Sequence, residues 1–166
     1  MFWGGLAVDK KFHELNQKFM NVNEDDKERF QNIIIWTGKM MEFFEKEKLT
    51  KNIFPKRGEV WTCHFGQNIG AEINNIRPCV IVSNNIGNKK APIVTVVPIS
   101  SRKETQQTHV KLDPSSFTYV EDSIKGTAIC EQIRAISKAR LGRKIGLLTE
   151  KAIQKIKKAV LISLEF

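Results

Sequence analysis

Cysteine is scarce in this sequence, and its three copies are Cys63, Cys79 and Cys130. They are odd in number, lie far apart and form no C-x-x-C pair, which excludes a disulfide framework and argues against a zinc site. We therefore predict three buried thiols in a protein of the reducing cytoplasm, with no metal and no cofactor.

Long apolar runs are also missing, since no stretch approaches the roughly 20 residues that span a bilayer. Residues 1–8 are apolar, but no basic leader precedes them, and Asp9, Lys10 and Lys11 follow too early for a secretory signal. We expect no membrane association. The 166 residues, of which 41% are hydrophobic and 27% charged, suit one globular domain plus an appendage.

Acidic side chains are under-represented, with 18 Asp+Glu against 27 Lys+Arg and a formal net charge of +9. Residues 1–55 contain nine of each sign, so residues 56–166 contain 18 basic and 9 acidic side chains and carry the whole excess (18 − 9 = +9). A compact basic domain attracts polyanions, of which phosphate backbones are the commonest. The alternative is that this charge only keeps the protein soluble.

Residues 9–49 are predicted to form two amphipathic helices, because apolar residues recur at steps of three and four. Asn23 suits the N-cap of the second helix. The apolar faces can be buried as a structural brace or dimer support, which we expect, or stay open for a partner. The faces comprise Val8, Phe12, Leu15, Phe19 and Val22 in the first helix, and Phe30, Ile33, Thr37, Met40 and Phe44 in the second.

After a linker at Thr50–Arg57, short runs rich in β-branched residues alternate with turn residues, which is typical of a small β-barrel. The chain returns to helix at Thr149–Leu164, with Thr149 as N-cap. We therefore predict a helical hairpin and linker at 1–54 and a mainly β domain with a C-terminal helix at 55–166. The predicted strands are Glu59–Phe65, Arg77–Ser83, Ile93–Ser100, Thr108–Leu112 and Thr127–Ile136.

Five phrases resemble, in order and spacing, the MazF/PemK toxins of bacterial toxin–antitoxin pairs. They cover about two thirds of the chain and leave residues 1–54 unmatched. The phrases are PKRGEVW (55–61), GAEINNIRPCVIVSNN (70–85), VTVVPIS (94–100), THVKL (108–112) and EQIRAISKARLG (131–142). The resemblance implies an SH3-like barrel of five to seven strands, a homodimer, a cognate antitoxin partner, and metal-independent endoribonuclease activity on single-stranded RNA.

The resemblance also implies a catalytic pair. On the MazF branch of the family, the matching positions are Arg77 and Ser100, where threonine is usual, with Ser101 as a rival for the hydroxyl. The PemK branch uses a histidine and an arginine where this chain has Ala71 and Ile129, so that version of the site is not expected here.

The chemistry can also be considered from the residues themselves. Cleavage of RNA without a metal uses the 2′-hydroxyl of the substrate as nucleophile, so the protein supplies charge, proton transfer and orientation. A guanidinium stays protonated and forks onto two phosphate oxygens, which suits Arg77 to this task. Either Glu72 or Glu131, which matches the acid of the PemK branch, can accept the 2′-proton, and the sequence favours neither.

Other residues are candidates for binding RNA, although each also has a structural interpretation. Gln132 and Arg134 are expected on one face of an alternating strand, and Phe65 and Tyr119 are the rings considered for base stacking. The basic cluster from Lys138 to Lys144 is assigned to solubility. The RNA-binding candidates are Arg57, His64, Phe65, Lys89, Lys90, Arg102, Gln132 and Arg134.

Two other functions agree with the same sequence features. One is a non-catalytic nucleic-acid-binding barrel, for which the basic charge argues equally well. The other is a toxin directed at a partner protein, resembling the gyrase inhibitors of the same fold.

Overall fold

The computed structural model describes residues 5–101, 105–121 and 124–166, of which residues 5–7 and 51 are described without their side chains. The chain divides into two compact units, one ending at Met41 and the other comprising Glu42–Phe166. The domain boundary expected after residue 54 stays a prediction.

Two helices dominate the first unit. Helix α1 is Gly5–Met20, and helix α2 begins at Glu24 and continues to Glu47. Asn23 caps α2 as predicted, because its Oδ1 accepts a hydrogen bond of 2.8 Å from the backbone N–H of Asp26. The expected burial of the apolar faces is not seen at Phe12, which is 74% exposed, or at Leu15. The choice between a brace or dimer support and a surface for a partner stays a prediction.

The second unit contains a curled antiparallel sheet, in which eight strands lie within the described residues. Their order across the sheet is β4-β6-β3-β2-β1-β8-β5, and β7 also pairs with β3. The fold class predicted from the sequence is confirmed. The strands are β1 Glu59–Gly66, β2 Asn75–Ile81, β3 Ile93–Ser100, β4 His109–Leu112, β5 Phe117–Val120, β6 Gly126–Ile129, β7 Arg134–Ser137 and β8 Leu141–Leu148.

One predicted strand, Thr127–Ile136, is wrong as a single element. A three-residue 3-10 turn at Cys130–Gln132 divides it into β6 and β7. The register gives the reason. Ser100 of β3 pairs with Thr127, and Val96 of β3 pairs with Arg134. The two residues on β3 are four positions apart, whereas their partners are seven positions apart. The three extra residues are accommodated as the turn, and Gln132 and Arg134 therefore do not share one alternating strand.

Lys89 and Lys90, two of the RNA-binding candidates, lie in a short helix, α3, at Asn85–Lys90. The Oδ1 of Asn84 caps it by accepting from the N–H of Gly87 at 2.7 Å. Lys138 is 2% exposed and donates from Nζ to the carbonyl of Asn88 at 2.6 Å. A lysine buried in this way does not serve solubility, so that interpretation was wrong for Lys138.

Two clusters of buried hydrophobic side chains form the core of the second unit. The first includes Val60, Leu112 and Ile145 and is closed by helix α4, Glu150–Ser163, through Ile153 and Ile156. Thr149 caps α4 as predicted, accepting from the N–H of Ala152 at 3.3 Å. The second cluster includes Phe65, Ile73, Cys79, Ile81 and Leu141.

The three cysteines are free and buried, as predicted. Burial and the nearby charge of Glu131 raise the pKa of the Cys130 thiol to about 12, and burial likewise raises that of Cys79. These thiols therefore behave as small apolar side chains. Among the described helices, none has the length and hydropathy required to cross a bilayer.

We expect a protein beginning at Glu42 to fold with nearly the thermal stability of the full chain, because every described hydrophobic side chain that is fully buried lies at Phe43 or later. Thermal denaturation followed by circular dichroism measures this. A protein beginning at Lys56 is the matched comparison, since it also loses Phe43, whose ring meets the edge of His64 at 5.1 Å. A melting temperature of the Glu42 protein as low as that of the Lys56 protein would contradict the expectation.

Candidate active site

The loop between β1 and β2 is held in shape by its own asparagines. The backbone N–H of Asn68 donates to Oδ1 of Asn74 at 2.6 Å, and Nδ2 of Asn68 donates to the carbonyl oxygens of Ile73 and Phe65 at 2.7 and 3.2 Å. Asn75, the first residue of β2, has a φ of 66°, in the left-handed region that asparagine tolerates better than most residues. The loop is therefore a defined structure that can position side chains.

Arg77 leaves this loop on β2. It is half-buried, and its Nε donates to the carbonyl of Asn74 at 3.4 Å. Among the described residues, Asn74 is the one that accepts a hydrogen bond from the guanidinium of Arg77. The two terminal nitrogens of the guanidinium can therefore bind a ligand. A fork of this kind matches two oxygens of a phosphate.

The register of β2 and β3, continued beyond its last pair, sets Ser100 level with Arg77. In the β2–β3 pairing, Cys79 is opposite Pro98 and Val80 is opposite Val97. Continuing that register by two residues brings Arg77 opposite Ser100. Ser100 is 7% exposed, whereas the adjacent Ser101 is exposed. The extended register therefore predicts that the two residues singled out by the family resemblance lie opposite each other.

The backbone at Ser100 is closely packed from one side. A Cβ added to Gly126 would lie 2.6 Å from the carbonyl oxygen of Ser100, a distance that real Cβ atoms do not reach. Glycine at this position thus lets β6 approach the end of β3 and fixes where the Ser100 backbone lies.

Glu131 projects from the 3-10 turn and contacts a buried histidine. The Nδ1 of His109 accepts a hydrogen bond from the N–H of Thr105 at 3.2 Å, so the proton of the neutral ring lies on Nε2. That Nε2 is 2.8 Å from Oε1 of Glu131 and donates to it. Partial burial would raise the pKa of Glu131, but hydrogen bonds from its own backbone N–H and from His109 outweigh burial and keep that pKa below its ordinary value. Glu131 is therefore a charged carboxylate at neutral pH, and these hydrogen bonds fix its position.

Gln132, next in the chain, contacts the β1–β2 loop at two points. Its Oε1 accepts from the N–H of Ile73 at 2.7 Å, and its Nε2 donates to the carbonyl of Ala71 at 2.9 Å. Glu72 lies between these two residues, and its carboxylate is 3.9 Å from a guanidinium nitrogen of Arg134. The loop thus links Arg77, Glu72, Gln132 and Arg134 into one cluster.

Three of the predicted RNA-binding residues lie at the opposite end of the strands. The backbone N–H of Arg57 donates to Oδ1 of Asn85 at 2.8 Å, beside α3. Lys89 and Lys90 end α3, just before β3 begins at Ile93, seven residues from Ser100. At about 3.3 Å per residue this is roughly 23 Å. Arg102 lies outside the described residues.

Phe65 does not present a ring for stacking, because it is 0% exposed. The guanidinium of Arg134 covers its face, 5.8 Å from the ring centroid. The prediction that Phe65 stacks on a base is therefore wrong, because β1 turns this side chain into the core. Tyr119 is exposed, and Nζ of Lys144 lies 5.4 Å from its ring centroid.

His64 is half-buried beside the ring of Phe43, and its carbonyl accepts from Nε of Arg140 at 2.7 Å. Arg140 also donates to the carbonyl of Phe65, so it fixes the end of β1. In the part of the chain that the structure describes, no three His, Cys, Asp or Glu side chains form a group that could hold a metal ion.

Comparison with known proteins gives concordant matches over this second unit. The family model of the PemK-like, MazF-like toxins of type II toxin–antitoxin systems matches residues 56–164. "Endoribonuclease MazF" of Staphylococcus saprophyticus is 36% identical over 111 residues, which are 66% of this chain and 90% of that protein. "Endoribonuclease EndoA" of Bacillus subtilis is 34% identical over 111 residues, 66% of this chain and 93% of that protein.

Solved structures match the same region. An endoribonuclease from Mycobacterial species, determined in complex with its cognate antitoxin, is 28% identical with a TM-score of 0.56, covering 68% of this chain and 96% of that one. MazF from Deinococcus radiodurans has a TM-score of 0.61 at 16% identity, covers 69% of this chain and all of that one, and shows the fold alone.

Proposed function

This chain belongs to the PemK-like, MazF-like toxins of type II toxin–antitoxin systems, and we propose that it is an endoribonuclease that cleaves single-stranded RNA at short specific sequences without a metal ion. The resemblance seen in its sequence phrases is thereby confirmed. We assign the activity to residues 55–166, the domain predicted from the sequence, since the family match spans 56–164.

The observation that supports the proposal is the register of β2 and β3, whose continuation by two residues beyond the Cys79–Pro98 pair sets Arg77 opposite Ser100. In the proposed reaction, the 2′-oxygen of the substrate attacks the adjacent phosphorus and the bond to the 5′-oxygen breaks. One product then ends in a 2′,3′-cyclic phosphate, and the 5′-oxygen of the other takes a proton from water and becomes a hydroxyl. The guanidinium of Arg77 binds the phosphate oxygens that gain charge, and Ser100 donates a hydrogen bond to the same phosphate.

For the proton of the 2′-hydroxyl we propose Glu131 as the acceptor. Its carboxylate is held by His109 at 2.8 Å and is charged at neutral pH, so it can accept a proton. Glu72 is the alternative base, but it is more exposed and lies 3.9 Å from Arg134, to which we assign its charge.

We also propose a cognate antitoxin as protein partner, a homodimer as the active form, and the cytoplasm as its location. Support for the antitoxin comes from the mycobacterial endoribonuclease that was solved with one. A groove of about 480 Å³ beside α4, lined in part by Ile156, Val160 and Leu161, offers apolar surface that a protein partner would cover. RNA as substrate and the three free thiols agree with a reducing cytoplasm.

The test is to incubate the purified full chain with a long single-stranded RNA in excess EDTA and to map the new ends. We expect discrete cuts at a recurring short sequence that persist under chelation, with a 5′-hydroxyl on one product. RNA that is bound but intact would indicate the non-catalytic barrel instead. An absence of both cutting and binding would favour a toxin directed at a protein.

A further inference from the structure

The side-chain amide of Gln132 has both of its polar ends occupied by the backbone of the β1–β2 loop. The oxygen accepts from Ile73 at 2.7 Å and the nitrogen donates to Ala71 at 2.9 Å, across 59 and 61 residues of sequence. A two-point contact of this kind fixes the orientation of the amide and leaves it poorly placed to read a base edge. It also fixes the backbone on both sides of Glu72.

Hydrogen bonds within the β1–β2 loop connect the residues bound by Gln132 to Arg77. Ile73 is buried in the second core cluster, and its carbonyl accepts from Asn68 at 2.7 Å. Asn68 in turn binds the side chain of Asn74 through its N–H, and the carbonyl of Asn74 accepts from Nε of Arg77 at 3.4 Å. A continuous set of hydrogen bonds therefore joins Gln132 to the guanidinium.

We infer that Gln132 is a positioning residue that clamps the β1–β2 loop and so holds Glu72 and Arg77 in place for cleavage, an inference that rests on the proposed endoribonuclease function. Gln132 itself does not touch the substrate. The placement of the 3-10 turn explains how it can act here: the three extra residues between β6 and β7 carry Glu131 toward His109 and Gln132 toward the loop.

Hydrogen exchange of the Ile73 amide in the full chain, without RNA, tests the clamp directly. Gln132→Met keeps the length of the side chain but removes both hydrogen bonds, so we expect exchange at Ile73 to accelerate roughly tenfold. Gln132→Glu still accepts from Ile73 but cannot donate to Ala71, so we expect a smaller acceleration. Exchange of core amides such as Val80 serves as the internal measure of intact folding.

Gln154→Met is the matched control, because Gln154 makes its hydrogen bond of 2.6 Å to Glu150 on the exposed face of α4. It is expected to leave exchange at Ile73 unchanged. Unchanged exchange at Ile73 in Gln132→Met would overturn the clamp.

Cleavage of the same long RNA tests the consequence for the site. We expect Gln132→Met to lower kcat about ten- to a hundredfold at all cut sites, with a much smaller change in KM, because misplacement of the reacting groups affects the chemical step. A shifted cleavage sequence without a change in exchange would identify a base-reading residue, and faster exchange with unchanged cleavage would show that the loop needs no clamp. Either result overturns the inference. Failure of the unaltered chain to cut RNA sinks the proposed function, and the exchange experiment remains readable in that case.

Discussion

Replacing Arg77 with alanine is expected to reduce RNA cleavage roughly a hundred- to thousandfold while the barrel stays folded. The proposed role of Arg77 is to bind the charge that develops on the phosphate, and removal of one such donor costs about 2.7–4 kcal/mol of transition-state stabilisation. Arg77 is half-buried, and within the described parts of the chain its side chain makes one long hydrogen bond, of 3.4 Å, to Asn74. Little stability should therefore be lost. Single-turnover cleavage rates and a thermal melt of the same preparation measure the two quantities.

Two further variants make this measurement specific. Arg77→Lys keeps the charge but loses the planar fork, so we expect an intermediate rate. Arg143→Ala removes a surface arginine whose ion pair with Glu121, at 3.0 Å, is exposed, and it should cut RNA at the rate of the unaltered chain. If a folded Arg77→Ala protein cleaves nearly as fast as Arg143→Ala, Arg77 does not carry the reaction.

The elements that the sequence predicts well are those in which a local pattern and the tertiary structure agree. Strand β3 matches its predicted bounds because it begins with five β-branched residues in a row, Ile93–Val97, and is buried on both faces from Val96 to Ser100. The two caps at Asn23 and Thr149 are equally local, since each side chain binds an amide three residues on.

Strand β8 was missed, although it is the neighbour of β1 and β5. Its sequence contains Gly142 and Gly146 and two charges between them, which reads as a turn. The two glycines are explained by close contacts and not by a turn. A Cβ at Gly142 would overlap the hydroxyl of Thr62, and one at Gly146 would lie 3.0 Å from the carbonyl of Tyr119. They permit close approach of neighbouring strands, which depends on partners distant in the sequence.

The residues of the candidate site also differ in how far the sequence predicts them. Arg77 and Ser100 were identified by family resemblance, and continuing the β2–β3 register by two residues aligns them. The pairing of His109 with Glu131 and the two contacts of Gln132 join residues 22 to 61 positions apart, for which spacing carries no signal. The three-residue turn that produces both contacts is visible only in the register of β3 against β6 and β7. The RNA-binding roles of the remaining candidates stay predictions.

Phe65→Ala is expected to destabilise the second unit by about 3–5 kcal/mol, the usual cost of deleting a buried aromatic ring. Phe65 is 0% exposed and packs in the cluster that contains Ile73, the anchor of the β1–β2 loop. A loss of this size is a large part of the 5–15 kcal/mol that stabilises a typical domain. For a unit of this length it should lower the melting temperature by roughly 10–20 °C. Urea denaturation gives the free energy of unfolding directly.

Tyr119→Ala is the matched aromatic control, because its ring is exposed and truncating it should change the free energy of unfolding far less. The two interpretations of Phe65 predict opposite results. A stacking ring would lose about 1–3 kcal/mol of RNA affinity per base on truncation and leave the unfolding transition in place. Truncating a core ring lowers the free energy of unfolding, and any change in RNA binding then follows from disruption of the β1–β2 loop. If Phe65→Ala has the same unfolding midpoint as Tyr119→Ala, Phe65 is not a core residue and its assignment to RNA binding is restored. The packing of Phe65 with Ile73 would then not anchor the β1–β2 loop.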